Sequence, residues 1–327
     1  MIDLDPTEIR AALRAKQRAE AFHLTDENVS LIDIGWKIKE SAGRQIVRNL
    51  AVRVHLRRKP VGPAFEAFSS IFPERVVSED RIGFPVDIIE ADYRLSWSWW
   101  MPWYPPPRAR FFDPLQGGIS ISNEFGFGSG TLGGFVRDRT TGELMILSNW
   151  HVLAGSAYTR KGARIFQPGY GEGGRSQHTI GYLERHGMED GIDAAVAMVN
   201  DFRSWKNDQL DLGAVSGVVS PQPDMQVTKS GRTSEVTEGM VTGVGGVKMI
   251  RYGRFERIVR NIIHIAPSPE GGEVSAPGDS GSWWLEKNSN NVAGLHFAGD
   301  NLPEYGLAID MPVVMDYLNV ELATGQD

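Results

Sequence analysis

From Gly118 onward the sequence is cut into short apolar alternations separated by glycine-rich turns: GISIS, GGFV, LMILSNWHV, DAAVAMV, MQVTKSG, MVTGVGG, IIHIA, SWWL and VAGLHFAG. Alternation with a period of two half-buries an extended strand, and turns at such close intervals point to an antiparallel β domain. The alternation ends near Asp310, which is placed to cap a helix starting at Met311 and Pro312, with Val314, Tyr317 and Leu318 on its apolar side. With 327 residues, 41% of them hydrophobic and 23% charged, the chain is long enough for two globular domains.

The first part has a different texture. Asp5, Pro6 and Glu8 form an N-terminal helix signature, with the acids and arginines that a secretory leader lacks. Ile32, Ile34, Trp36 and Ile38 alternate before an ESAGR turn, as do Ile46, Leu50, Val52, Val54 and Leu56 after it. Phe65, Phe68 and Phe72 recur at helical spacing, and PVDIIE reads as a further strand. The expected division is a helix and small α+β accessory domain over residues 1–92, a linker over 93–117, and a β domain over 118–327. The linker holds Trp97, Trp99, Trp100 and Trp103 beside a proline run that prevents regular structure. These rings fit a plug between the domains, and they also offer a surface for a partner or for self-association.

A net charge of −7 argues against general affinity for nucleic acid. The basic stretch RVHLRRK, with Arg53, His55 and Arg57 alternating with Val54 and Leu56, is expected to be a solvated strand face. There is no cysteine, so disulfides and thiolate metal sites are excluded, and a reducing, cytoplasmic setting fits. No apolar run approaches a membrane span. His178 and His186 lack a carboxylate pattern for a metal, and no cofactor is expected.

Chemistry concentrates in three places. In APGDSGSWW, Gly278 and Gly281 allow a tight loop that presents Asp279 and Ser280, and the N–H groups of Gly278 and Ser280 could converge on an oxyanion. LMILSNWHVLAG brings His151 to the end of an apolar strand. DGIDAAVAMV opens with Asp193 directly before a strand of small residues, whereas its competitor Asp190 sits in the preceding Glu-Asp-Gly turn. The stretch GSGTLG at 128–133 satisfies a nucleotide-loop pattern but leads into a strand rather than a helix, so its glycines are read as a strand crossing or bend.

The order His151, Asp193, Ser280, with SNWHVL, GDSGS, VAGLHFAG and KSGRTSEVTEGMVTGV around it, resembles the chymotrypsin-like (trypsin-like) serine protease superfamily, bacterial type, over roughly residues 118 to 320. The resemblance implies a mainly β, chymotrypsin-like double β-barrel with a C-terminal helix, and a serine endopeptidase acting on a protein or peptide substrate. His151, Asp193 and Ser280 would form its catalytic triad, with Gly278 and Ser280 as the oxyanion hole. It also implies substrate contacts at Val274, Ser275, His296, Phe297, Ala298 and Gly299. Val274 stands where trypsin-like pockets carry an acid, and His296 resembles the histidine of glutamyl and picornavirus-type proteases, so cleavage after Glu or Gln is expected. A serine esterase of the α/β-hydrolase type fails on two counts, since residue 282 is Ser rather than Gly and the histidine precedes the serine. A non-catalytic peptide-binding protein on the same scaffold is the alternative from another class. Secreted members carry disulfides and a freed N-terminal amine that pairs with the acid before the nucleophile, so Asp279 needs another partner here. The N-terminal part more loosely resembles a domain preceding such proteases, which implies a regulatory or docking role, covering the cleft.

Overall fold

Asp5 accepts a 2.8 Å hydrogen bond from the Thr7 N–H and caps a helix over Pro6–His23, as its sequence predicts. The structure is a computed structural model that describes residues 5–40, 46–60, 75–77, 83–95, 106–126, 128–253, 255–269, 272–301 and 304–324. Phe65, Phe68 and Phe72 and the tryptophans 97, 99, 100 and 103 lie outside the described residues.

Strands β1 (Val29–Glu40), β2 (Ile46–Leu56), β3 (Arg75–Val77), β4 (Gly83–Glu90) and β5 (Arg94–Leu95) follow the helix. Next come β6 (Leu115–Gly117), β7 (Ser120–Asn123), β8 (Gly130–Thr131), β9 (Gly134–Asp138) and β10 (Leu144–Ser148), then a four-residue helix, Trp150–Leu153. The chain continues through β11 (Arg164–Phe166), β12 (Thr179–His186), β13 (Ala195–Val199), β14 (Trp205–Gln209), β15 (Gly213–Ala214) and β16 (Gly217–Val218). It ends with β17 (Gln226–Gly231), the long hairpin β18 (Glu235–Tyr252) and β19 (Phe255–Pro267), β20 (Trp283–Glu286), β21 (Asn291–Asn301), β22 (Glu304–Asp310), a helix over Met311–Tyr317 and β23 (Val320–Leu322).

The architecture is mainly β, as the sequence predicts. Pairings run β17–β20–β21–β22–β19–β18 and return from β18 to β17, which closes a barrel with no free edge around that ring. A second, curled sheet runs β23–β9–β10–β13–β12–β11–β7–β8. Its buried residues share one core with part of the first barrel: Phe135, Ile146, Leu147 and Val196 from one sheet, Trp283, Leu295 and Phe297 from the other. Trp284, one residue on from Trp283, points to a separate cluster with Val227, Ile265 and Val274, as alternation along β20 requires.

The N-terminal strands extend the first barrel's sheet. β1 pairs antiparallel with β18 through Ile32↔Val247 and Gly35↔Gly243, and β2 pairs with both β1 and β4. The helix lies on this extension, where Ala11, Ala12 and Ala15 allow close approach to Ile32, Ile34, Val52 and Val54.

The stretch at 53–59 departs from expectation in its first half, whereas Arg57, Arg58 and Lys59 are exposed as expected. Arg53 and His55 are buried, as are Val54 and Leu56, so this part of β2 is covered on both faces rather than solvated. The helix covers the apolar face. The polar face is neutralised from within: Arg53 Nε donates to Asp33 Oδ1 at 2.7 Å, and His55 Nε2 lies 3.3 Å from the same oxygen. The Tyr93 hydroxyl then bridges His55 Nδ1 at 2.6 Å and His264 Nε2 at 2.8 Å.

Candidate active site

β10 does not continue through SNWHV as expected. Asn149 turns its side-chain amide onto the Asp193 carbonyl at 2.8 Å, and the chain enters the short helix that carries His151. Asp193 stands two residues before β13, which pairs with β10 through Ser148↔Ala195. The register of these neighbours therefore brings the two side chains together. His151 Nδ1 lies 2.6 Å from Asp193 Oδ2, and the His151 backbone N–H donates to Oδ1 at 3.1 Å. Two contacts fix the ring to one carboxylate and direct Nε2 away from it. Asp190 takes no part, because its carboxylate accepts from the Tyr317 hydroxyl.

Ser280 comes from the other sheet, in the loop before β20. Gly278 and Gly281 adopt φ of 109° and 98°, a left-handed region that a side chain disfavours. Asp279 N–H is spent on Ala276 O at 3.0 Å, Gly281 N–H on His296 O at 2.9 Å and Ser282 N–H on Asp279 O at 3.0 Å, so the turn is pinned from both flanks. The expected oxyanion donors, Gly278 and Ser280, belong to this turn. The loop abuts the His151 segment directly: a β-carbon at Gly281 would stand 2.1 Å from Ser148 Oγ, three residues before His151.

Thr131 joins the two sides. Its N–H donates to Ser280 O at 2.7 Å, its hydroxyl donates to Gly278 O at 3.0 Å, and its carbonyl accepts from Ser148 Oγ at 2.8 Å. This is the work of the GSGTLG stretch, whose glycines let a strand pass under the serine loop.

Two further residues were not singled out in the sequence. Lys229 is fully buried and places Nζ 2.8 Å from Asp279 Oδ2, which supplies the cation that Asp279 needs. Ala276, Thr233 and Ser234 N–H groups also donate to this carboxylate, at 2.9, 3.0 and 3.1 Å. Burial raises the Asp279 pKa, but Lys229 and the hydrogen bonds outweigh it and hold the carboxyl well below the usual range. The signal for Lys229 was in the alternation of QVTKSG, which sets it on the same face as Val227. The second residue is Tyr252, whose hydroxyl donates to Asp193 Oδ2 at 2.9 Å, while burial and the Asp193 charge push its phenol well above the ordinary value. Nothing in MIRYGRF marks it.

The expected substrate contacts are all in this region. Val274 and His296 surround Gly306 together with Trp284: a β-carbon there would stand 3.0 Å from Val274 Cγ1, 3.5 Å from His296 Cε1 and 3.6 Å from Trp284 Cζ2. Val274, Ser275, His296, Phe297 and Ala298 are buried, and Gly299 is half-buried. The Phe297 carbonyl accepts from Ser280 Oγ at 3.3 Å. Burial, joined by Lys229, pushes the His296 pKa down to about 3, with Asp279 opposing and His151 adding to the fall. Its imidazole is therefore neutral. Trp284 Nε1, which can only donate, lies 3.3 Å from His296 Nδ1, so the ring carries its proton on Nε2.

No family model matches the chain, and no curated protein matches it. Among solved structures it is similar to Thermobifida fusca protease A, at 19% identity over 64% of this chain and 100% of that one, with a TM-score of 0.47. It is similar to a Nocardiopsis protease at 16% identity, with the same coverage and a TM-score of 0.48. A glutamic acid specific serine protease that utilizes a histidine triad in substrate binding matches at 17% identity, 64% and 100% coverage and a TM-score of 0.48. These are likenesses of fold to bacterial chymotrypsin-like serine proteases. Among the described residues no helix is long and apolar enough to cross a membrane.

Proposed function

We propose that the protein is a serine endopeptidase that acts through His151, Asp193 and Ser280. The observation that carries this reading is the doubly tied His151–Asp193 pair, 2.6 Å at the ring and 3.1 Å at the backbone, beside the loop that bears Ser280. His151 Nε2 takes the proton of the Ser280 hydroxyl as its oxygen attacks the scissile carbonyl, then delivers that proton to the leaving amine. Water repeats the sequence on the acyl-enzyme and frees the acid. Asp193 holds the tautomer and offsets the imidazolium charge. The N–H groups of Gly278 and Ser280 stabilise the oxyanion, each by about 3 kcal/mol. Residues 1–92 serve as an accessory unit that regulates the site.

For specificity, the proposal is cleavage after Gln or Glu, held by His296. A neutral ring that donates from Nε2 pairs with an amide oxygen without burying net charge, which favours Gln. A second reading, a non-catalytic peptide-binding protein, is favoured by one observation: Ser280 has no exposed surface.

Cleavage of a peptide library, with products read by mass spectrometry, separates these readings. The wild-type chain is expected to cut after amide or acidic side chains and Ser280→Ala to leave the library intact. Cutting after Lys or Arg would remove the His296 assignment, and cutting by Ser280→Ala would remove the mechanism.

A further inference from the structure

One edge of β21 is covered by β22, which reaches from Gly294↔Asp310 to Asn301↔Glu304. The other edge is covered by β20, but that pairing stops at Trp283↔Leu295. The next stretch of this second edge follows Phe297, whose carbonyl accepts from Ser280 Oγ at 3.3 Å. It is a strand edge that reaches the candidate nucleophile, and backbone groups there invite an added peptide strand. It is taken by the chain itself: β5 pairs antiparallel through Ala298↔Leu95 and Gly299↔Arg94.

The segment that carries β5 is held on both sides of Arg94. Before it, Asp92 N–H donates to Asp300 Oδ2 at 2.7 Å, and the Tyr93 hydroxyl sits 2.6 Å from His55 and 2.8 Å from His264. The Tyr93 ring is 3% exposed, and Leu95 packs on the core that contains Phe297 and Ala298. The N-terminal sheet, through β4, thus delivers two residues onto the edge beside Ser280.

We propose that Arg94–Leu95 is an internal occupant of the substrate edge, lying against Ala298 and Gly299 as a bound peptide backbone would, so that an external substrate must displace it. This rests on the reading of Ser280 as a nucleophile and gives the accessory strands their role. The contact spans two residue pairs, against the eleven that join β1 to β2, so the latch opens without loss of the N-terminal sheet.

The test compares the full-length chain with two full-length variants. Arg94→Pro combined with Leu95→Pro deletes both backbone donors of β5. Leu95→Asp acts through the side chain instead, by setting a carboxylate against the core. Each chain is treated with a small fluorophosphonate, which needs Ser280 and His151 but not the β21 edge, and with a set of tetrapeptidyl phosphonates, which also need that edge. A latch closed in about nine chains of ten lowers the competent fraction to about one in ten, so the peptidyl rate is expected to rise about tenfold in either variant, and the small-probe rate by no more than that. If both probes label Ser280 and the peptidyl rate stays at the wild-type value in both variants, the latch is overturned and the nucleophile stands. If neither probe labels Ser280 in any chain, the nucleophile assignment falls and the latch with it.

Discussion

Asp33 and Asp193, both among the described residues, are wholly buried against a histidine, and they are compensated in opposite ways. Asp33, in the N-terminal extension, faces the guanidinium of Arg53 as well as His55. Burial raises its pKa, but Arg53 first and His55 next bring it far below the usual range. Asp193 is met by the His151 ring and backbone and by the Tyr252 hydroxyl, and among the described residues no Lys or Arg pairs with it. A carboxylate already neutralised by an arginine gains little from a second positive charge, whereas one held by neutral donors favours an imidazolium beside it. On the proposed function, similar residues therefore make a structural clamp in one region and a proton relay in the other.

The sharpest way to break that contrast is to alter the acid of the relay. Asp193→Asn, which keeps the shape but lets Nδ1 take the wrong tautomer, is expected to lower peptide turnover about 10⁴-fold. The expected melting temperature stays near wild type, and turnover within tenfold of wild type would mean that Asp193 only packs. A stability effect of another kind is expected at Asp279, a further wholly buried carboxylate. Lys229→Met leaves Asp279 without its cation, at a cost of about 3–5 kcal/mol in urea unfolding, and labelling of Ser280 is lost with the loop. An unchanged midpoint would show that the backbone donors around Asp279 suffice.

Acid titration sharpens the comparison further. His296 is pushed from 6.5 down to about 3 on folding, so between those values the unfolded chain binds the extra proton and stability falls as pH falls, by about 1.4 kcal/mol per pH unit. The depressed carboxyls of Asp33 and Asp279 act later: their contribution is whole above about pH 3.9 and is lost as pH drops through their lower folded values. His296→Asn is expected to flatten the pH dependence of urea midpoints between pH 6.5 and about 4 by close to one proton. An unaltered slope would show that His296 is not held neutral. The smallest effect is expected from Tyr252→Phe, which removes one donor to a charged group, worth about 1.5–3 kcal/mol, and lowers turnover roughly ten- to a hundredfold. No loss would assign Asp193 entirely to His151.

Much of this was legible before any coordinates. The alternating runs predicted the principal strands, and local settings were enough to prefer Asp193 over Asp190, because a residue adjoining a strand of small apolar side chains faces a core while one in a turn faces solvent. The partner of Lys229, the role of Tyr252 and the burial of Arg53 and His55 were not legible. Each depends on a partner far along the chain, such as Asp279 for Lys229 or Asp33 for Arg53, and alternation tells which face a residue is on, not what covers that face. The pairing of Arg94–Leu95 with β21 was hidden for the same reason, since two residues carry no period.

The relay itself is tested most directly by the rate at which a fluorophosphonate labels Ser280, mapped by peptide mass spectrometry, in the wild-type chain and in His151→Ala. A modified peptide containing Ser280 is expected in the wild type and none in His151→Ala. Equal labelling of the two chains would contradict the relay, because the serine would then react without the imidazole.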